Sequence, residues 1–169
     1  MSISMSAASV PVFVRVLGNL ATWLDKAEAH AQARKFDAGV YLGARLAPDM
    51  LPFLKQIQIA CDTAKFGAAR LAGEQAPKFE DSETTLAELR ERIRRTIDYV
   101  QSLPAAKIDG SEARDIVIPR RDGSITLKGE VYLKHYVLPN LFFHATTAYA
   151  LLRHNGVELG KSDFLGALA

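Results

Sequence analysis

Glu74-Gln75-Ala76-Pro77-Lys78-Phe79-Glu80-Asp81-Ser82-Glu83-Thr84 lies between two strongly periodic helical segments and has no apolar period of its own. A stretch of this length carries a chain across the end of a bundle, whereas a helical hairpin needs only a short turn. It therefore reads as a crossover between helix two and helix three. Four helices with that connection give an all-α bundle of up-down-down-up order.

The flanking segments support the reading. Upstream, Met50, Phe53, Leu54, Ile57, Ala60, Cys61, Ala64, Ala68 and Leu71 recur at helical spacing, with Pro48 placed to open helix two and Gly73 to stop it. Downstream, Thr85 followed by Glu88 has the spacing of a capping box, and Leu86, Leu89, Ile93, Ile97 and Val100 form the stripe of helix three up to Pro104. Its arginine run reads as a solvated face, with Glu88 and Arg92, and Glu91 and Arg95, spaced as supporting ion pairs.

Further out, Val10, Phe13, Val14, Leu17, Leu20, Leu24 and Ala27 define helix one, opened by Ser9 and Pro11 and ending near Arg34. Ile116 to Ile118 and Ile125 to Leu127, around Asp122-Gly123, predict a small β-hairpin before helix four. Helix four, from Glu130 to Asn155, is apolar almost all round and stops at Gly156. The tail beyond carries Phe164 and Leu165, which are suited to dock back on the bundle.

Composition narrows the function classes. The 169 residues, 49% hydrophobic and 24% charged, suit one globular domain spanning 1–169. A net charge of +2 leaves no electrostatic footprint for nucleic acid or an anionic membrane. No uninterrupted apolar run approaches the roughly 20 residues of a membrane span. No secretory signal is evident, and a lone Cys61 fits a reducing compartment, so a cytoplasmic protein is expected. Within an apolar stripe that thiol reads as a small buried hydrophobe. Gly156 to Ser162 resembles a phosphate-binding loop, but it is one residue short and follows a helix where the motif needs a strand.

The chemistry-bearing pattern lies on helices two and four. His144 shares a face with Val137, Leu141, Ala148 and Leu151, and Asn140 stands one turn earlier, beside a kink expected at Pro139. On helix two, Asp49, Gln56 and Thr63 form a polar row. If the two rows face each other they make a polar pocket in a bundle core. Tyr149 completes the candidate ligand-binding set of His144, Asn140, Gln56 and Asp49. A transition-metal site wants three His or carboxylate ligands, and Asn and Gln are poor ones, so no metal cofactor is expected. Were a divalent metal to bind, His144 with Asp49 or Asp62 would hold it.

The strings Arg45-Leu46-Ala47-Pro48-Asp49-Met50, Leu138-Pro139-Asn140-Leu141-Phe142-Phe143-His144, Ala148-Tyr149-Ala150-Leu151-Leu152-Arg153-His154-Asn155-Gly156 and Gly160-Lys161-Ser162-Asp163-Phe164-Leu165-Gly166 occur in this order along nearly the whole chain. They resemble an uncharacterised bacterial domain family of the DinB/YfiT-like superfamily. The resemblance implies a four-helix bundle with a long second crossover. It also implies a metal site of one His on helix two and a His-x-x-x-His pair on helix four. Here His144 takes the second place of the pair, Asn140 the first, and Gln56 lies near the helix-two place. The favoured function is thus small-molecule binding between helices two and four without a stoichiometric metal. The alternatives are a metal-dependent hydrolase or thiol transferase using His144 and a helix-two carboxylate, and a structural homodimer. A homodimer is expected in any case, because Leu141, Phe142, Phe143, Tyr149 and Leu152 cannot all face one core.

Overall fold

The computed structural model of the protein describes residues 3–167. Helix α1 spans Met5–Arg34 and is capped by Ser4, whose hydroxyl accepts from the Ala7 amide at 3.3 Å. It thus begins ahead of Ser9, which is buried within the helix and donates its hydroxyl to the Met5 carbonyl at 2.6 Å. Pro11 sits in the second turn, where it removes the helical hydrogen bond to the Ala7 carbonyl. Lys35 closes α1 in the left-handed conformation, φ 59°, and its amide reaches back to the last carbonyls.

Helix α2 spans Phe53–Ala72, five residues later than Pro48 suggested. A helix opened at Pro48 would have placed Pro52 opposite the carbonyl of residue 48, so Pro52 takes the capping position and 47–50 turn outside the helix. Gly73, at φ 72°, stops α2 as expected. Helix α3, Leu86–Ser102, carries the full capping box of Thr85 and Glu88. Strands β1 (Asp115–Arg120) and β2 (Gly123–Lys128) pair antiparallel around Arg121-Asp122, with Ile116 and Ile118 turned into the core.

The last long helix, α4, runs in three consecutive pieces: Gly129–Tyr132, a π-helical turn Leu133–Val137, and Leu138–His154. The π turn is seen in the Leu138 amide, which donates to the carbonyl of Leu133 five residues back. It directly precedes Pro139, which has no amide to continue an α-helical ladder. The break expected at Pro139 is therefore a widened turn. Gly156, at φ 89°, ends the helix.

The tail docks through a short helix α5, Lys161–Leu165. Phe164 stacks on Trp23 at 5.6 Å and meets Tyr149 edge-on at 5.9 Å, while the Trp23 indole donates to the Asp163 carbonyl at 3.1 Å. Leu165 stays largely exposed. Packing of α1 on α3, and of α2 on both α3 and α4, closes the up-down-down-up bundle around Phe13, Leu17, Leu24, Phe53, Ile57, Leu89, Ile93 and Leu141. By length and composition α1 could cross a membrane, contrary to the expectation from uninterrupted runs. In this fold its apolar side forms the bundle core.

Candidate functional site

The α2 and α4 rows meet in two rungs. In the first, the Gln56 side-chain amide donates to the Leu51 carbonyl at 2.9 Å, which leaves its oxygen to accept from His144 Nδ1 at 2.7 Å. The imidazole proton is thereby fixed on Nδ1. His144 is 8% exposed, and its burial lowers its pKa from the ordinary value. In the second rung, one turn along α4 and two along α2, the Asn140 amide donates to the Thr63 hydroxyl at 2.8 Å.

The lowered pKa has a definite sign for stability. The folded state resists protonating His144, so the unfolded chain takes up the proton first as pH falls. The contribution is complete above the unfolded value of about 6.5 and is lost as pH drops through it toward the lower folded value. In melting curves from pH 7.5 down to 5.5, the wild type is expected to lose more of its melting temperature than His144→Gln. Equal slopes would rule this out. His144→Ala, which strands the Gln56 oxygen, should cost about 1–3 kcal/mol at neutral pH.

Next to the second rung lies an open cavity of about 220 Å³. Thr63, Asp62, Phe66 and Arg70 of α2 form one wall, Tyr132, Tyr136 and Asn140 of α4 the other, and Ile118 and Pro119 of β1 the roof. Gly67 permits this approach of α2 to the π turn, since a Cβ there would stand 2.8 Å from Val137 Cγ1. The Arg70 guanidinium donates to the Tyr132 hydroxyl at 3.1 Å and lies over the Phe66 ring. Burial pushes the Tyr132 phenol up, so it stays neutral.

The candidate residues separate accordingly. Asn140 lines the cavity, whereas His144 and Gln56 sit beside it, engaged with each other. Asp49 does not join them: it is exposed in the turn before α2, because that helix starts only at Phe53. Tyr149 is also elsewhere, packed under the tail between Trp23 and Phe164. Cys61 is fully buried, and burial pushes its thiol up to about 12, which leaves no thiolate at neutral pH.

The sequence did not single out a buried ionic network behind the cavity. Arg92, 2% exposed, bonds Glu83 at 2.9 Å and both Asp62 and Asp81 at 3.0 Å. Lys65, equally buried, holds Asp62 at 2.8 Å and lies over the rings of Phe66 and Phe79. The expected pairs of Glu88 with Arg92 and Glu91 with Arg95 do not form. Glu88 is taken by the cap, Glu91 pairs with Arg94, and Arg95 lies over Phe79. A signal was present, since Arg92 falls on the same face as Leu89 and Thr96, inside the apolar stripe.

These residues do not suit a metal of the kind the superfamily carries. The three ligand places hold His144, with Nδ1 already bonded, Asn140 and the neighbourhood of Gln56. Among the described residues no group of three or more His, Cys, Asp or Glu could share an ion.

A family model described as a domain of unknown function, DUF1993, matches residues 5–165. A crystal structure of a DinB family member protein from Shewanella denitrificans is similar at 46% identity and a TM-score of 0.89, covering 96% of this chain and 92% of that one. No curated protein matches.

Proposed function

The chain belongs to the DUF1993 family, with a DinB-like fold, and on that premise we propose that it binds a small molecule in the cavity between α2 and α4, without a resident metal. The observation that carries this reading is the cavity itself. It is concave, mixed in polarity and lined by convergent polar groups, Asn140, Thr63, Asp62 and Arg70, beside a π turn, a feature often placed at functional sites. The His144–Gln56 rung holds α4 in register on α2, so the polar groups stay aimed at the opening. Fluorescence-detected melting against small polar metabolites should find compounds that raise the melting temperature of the wild type and not of Asn140→Leu. Hits that work equally well on both would remove the cavity from consideration.

Zinc or nickel added to protein purified without a histidine tag is expected to leave the melting temperature unchanged. A clear rise that is lost in His144→Ala would instead favour the metal-dependent hydrolase or thiol-transferase alternative.

A second reading, self-association, rests on a different face. From Met5 to Leu24 the only charged residue of α1 is Arg15, and α4 has none from Leu138 to Leu152. Phe142, 39% exposed, lines an apolar groove of about 370 Å³ with Pro11, Val12, Val16 and Leu165, and its neighbour Phe143 is 56% exposed. A second copy of the chain would cover this face. Sedimentation velocity should show a dimer at micromolar concentration for the wild type and a monomer for Phe143→Glu, whereas a wild-type monomer would refute it.

A further inference from the structure

We propose that the cavity between α2 and α4 selects a small planar carboxylate, its carboxyl group on Arg70 and its flat body against the Phe66, Tyr132 and Tyr136 rings. This rests on reading the cavity as a binding site, and it adds the class of ligand.

The charge balance of the walls is the first argument. Asp62 is the one acid in the lining, and Lys65 at 2.8 Å and Arg92 at 3.0 Å neutralise it from behind. Lys55 likewise neutralises Asp81 at 2.8 Å. Arg70 has no acidic partner among the described residues, and the neutral Tyr132 phenol takes only one of its donors. The cavity therefore presents one uncompensated cation.

The second argument is geometric. The guanidinium is held over the Phe66 ring at 5.1 Å and near the Tyr132 ring at 6.0 Å, so its planar fork is ordered before any ligand arrives. A planar fork matches a carboxylate through two parallel hydrogen bonds. A phosphate would call for further cationic donors within the cavity, and a second guanidinium, Arg120, lies over the Tyr136 ring outside the lining. Two turns from Arg70 along α2, Thr63 and the Asn140 side chain bonded to it supply a further polar group in the lining. Tyr132 and Tyr136, stacked at 5.7 Å, join Ile118 and Pro119 in supplying flat apolar walls. The space, about 220 Å³, suits one ring bearing one acid group.

Benzoate and its neutral counterpart benzamide test the inference, titrated by heteronuclear NMR with the Asn140 side-chain amide as the reporter. Benzoate should bind the wild type about tenfold more tightly than benzamide, and Arg70→Met should weaken benzoate by about tenfold while leaving benzamide unchanged. Arg70→Lys keeps the charge without the fork and should weaken benzoate as well, so it serves if Arg70→Met fails to fold. Equal binding of the two compounds, unaffected at Arg70, would overturn the carboxylate class and leave the cavity reading standing. If neither compound moves the Asn140 signal up to about 50 mM, far past a millimolar dissociation constant, both readings fall.

Discussion

Arg92→Met is expected to lower the free energy of unfolding by about 3 kcal/mol, because the nearly buried Glu83 carboxylate loses its cation. Methionine can fill much of the same volume, so the loss is one of charge. Among the described residues Arg92 is the only cation that touches Glu83, Asp62 and Asp81 together, and it also donates to the Glu80 carbonyl at 3.1 Å. Three of these partners lie in the crossover, so removing the guanidinium leaves the nearly buried Glu83 carboxylate without its cation and loosens the segment that joins α2 to α3, while Asp62 keeps Lys65 and Asp81 keeps Lys55. Urea denaturation at neutral pH measures the loss directly. A cost below about 1 kcal/mol would mean that water replaces the arginine freely and that the network is no more than a surface cluster.

Gly129→Ala is the second large effect, expected at about 3 kcal/mol or more. Gly129 joins β2 to α4, and a Cβ there would stand 2.0 Å from the Ser111 carbonyl oxygen and 2.9 Å from its carbon. Both are backbone atoms and cannot swing aside as a side-chain end could, so overpacking here must move the chain itself. The loop is held by the Gly129 amide on Arg114 at 2.9 Å and the Glu130 amide on Glu112 at 3.0 Å, and the hairpin starts immediately after. The displacement should therefore reach Ile118 and Pro119 above the cavity. A lowered urea midpoint together with shifted Ile118 methyl resonances would show it; an unchanged midpoint would mean that the loop yields at little cost.

Much of the fold is legible in the residues because it is local. The stripes of α1 to α4, the Thr85 and Glu88 box and the stops at Gly73 and Gly156 each need only neighbours in sequence. So does the hairpin, although its loop is Arg121-Asp122 and the expected turn residue Gly123 already belongs to β2. The helix starts were less legible because capping signals compete: Ser4 and Ser9 are equally good caps, and Pro48 and Pro52 equally good openers, until packing selects one of each. The site divides along the same line. Asn140 with His144, and Gln56 with Thr63, follow helical spacing and do meet, whereas Asp49 depended on a helix start that moved. Arg92 escaped notice because its partners come from α2 and the crossover, and the cavity because its roof comes from β1. Tyr149 is taken by the docked tail, whose place on the bundle helical spacing does not give.

The π turn has a consequence for how such a site could be inherited. Residues 133–137 hold one residue more than an α-helical path requires, and at 3.6 residues per turn one residue is about 100° of rotation. Loss of a single in-frame codon within this turn would swing Tyr132 and the hairpin more than a quarter-turn around α4 and leave His144 facing Gln56. One wall of the cavity would vanish while the four-helix scaffold persisted. Descendants of one ancestral bundle could therefore gain or lose this recess in a single genetic event, with no need to rebuild the body that carries it.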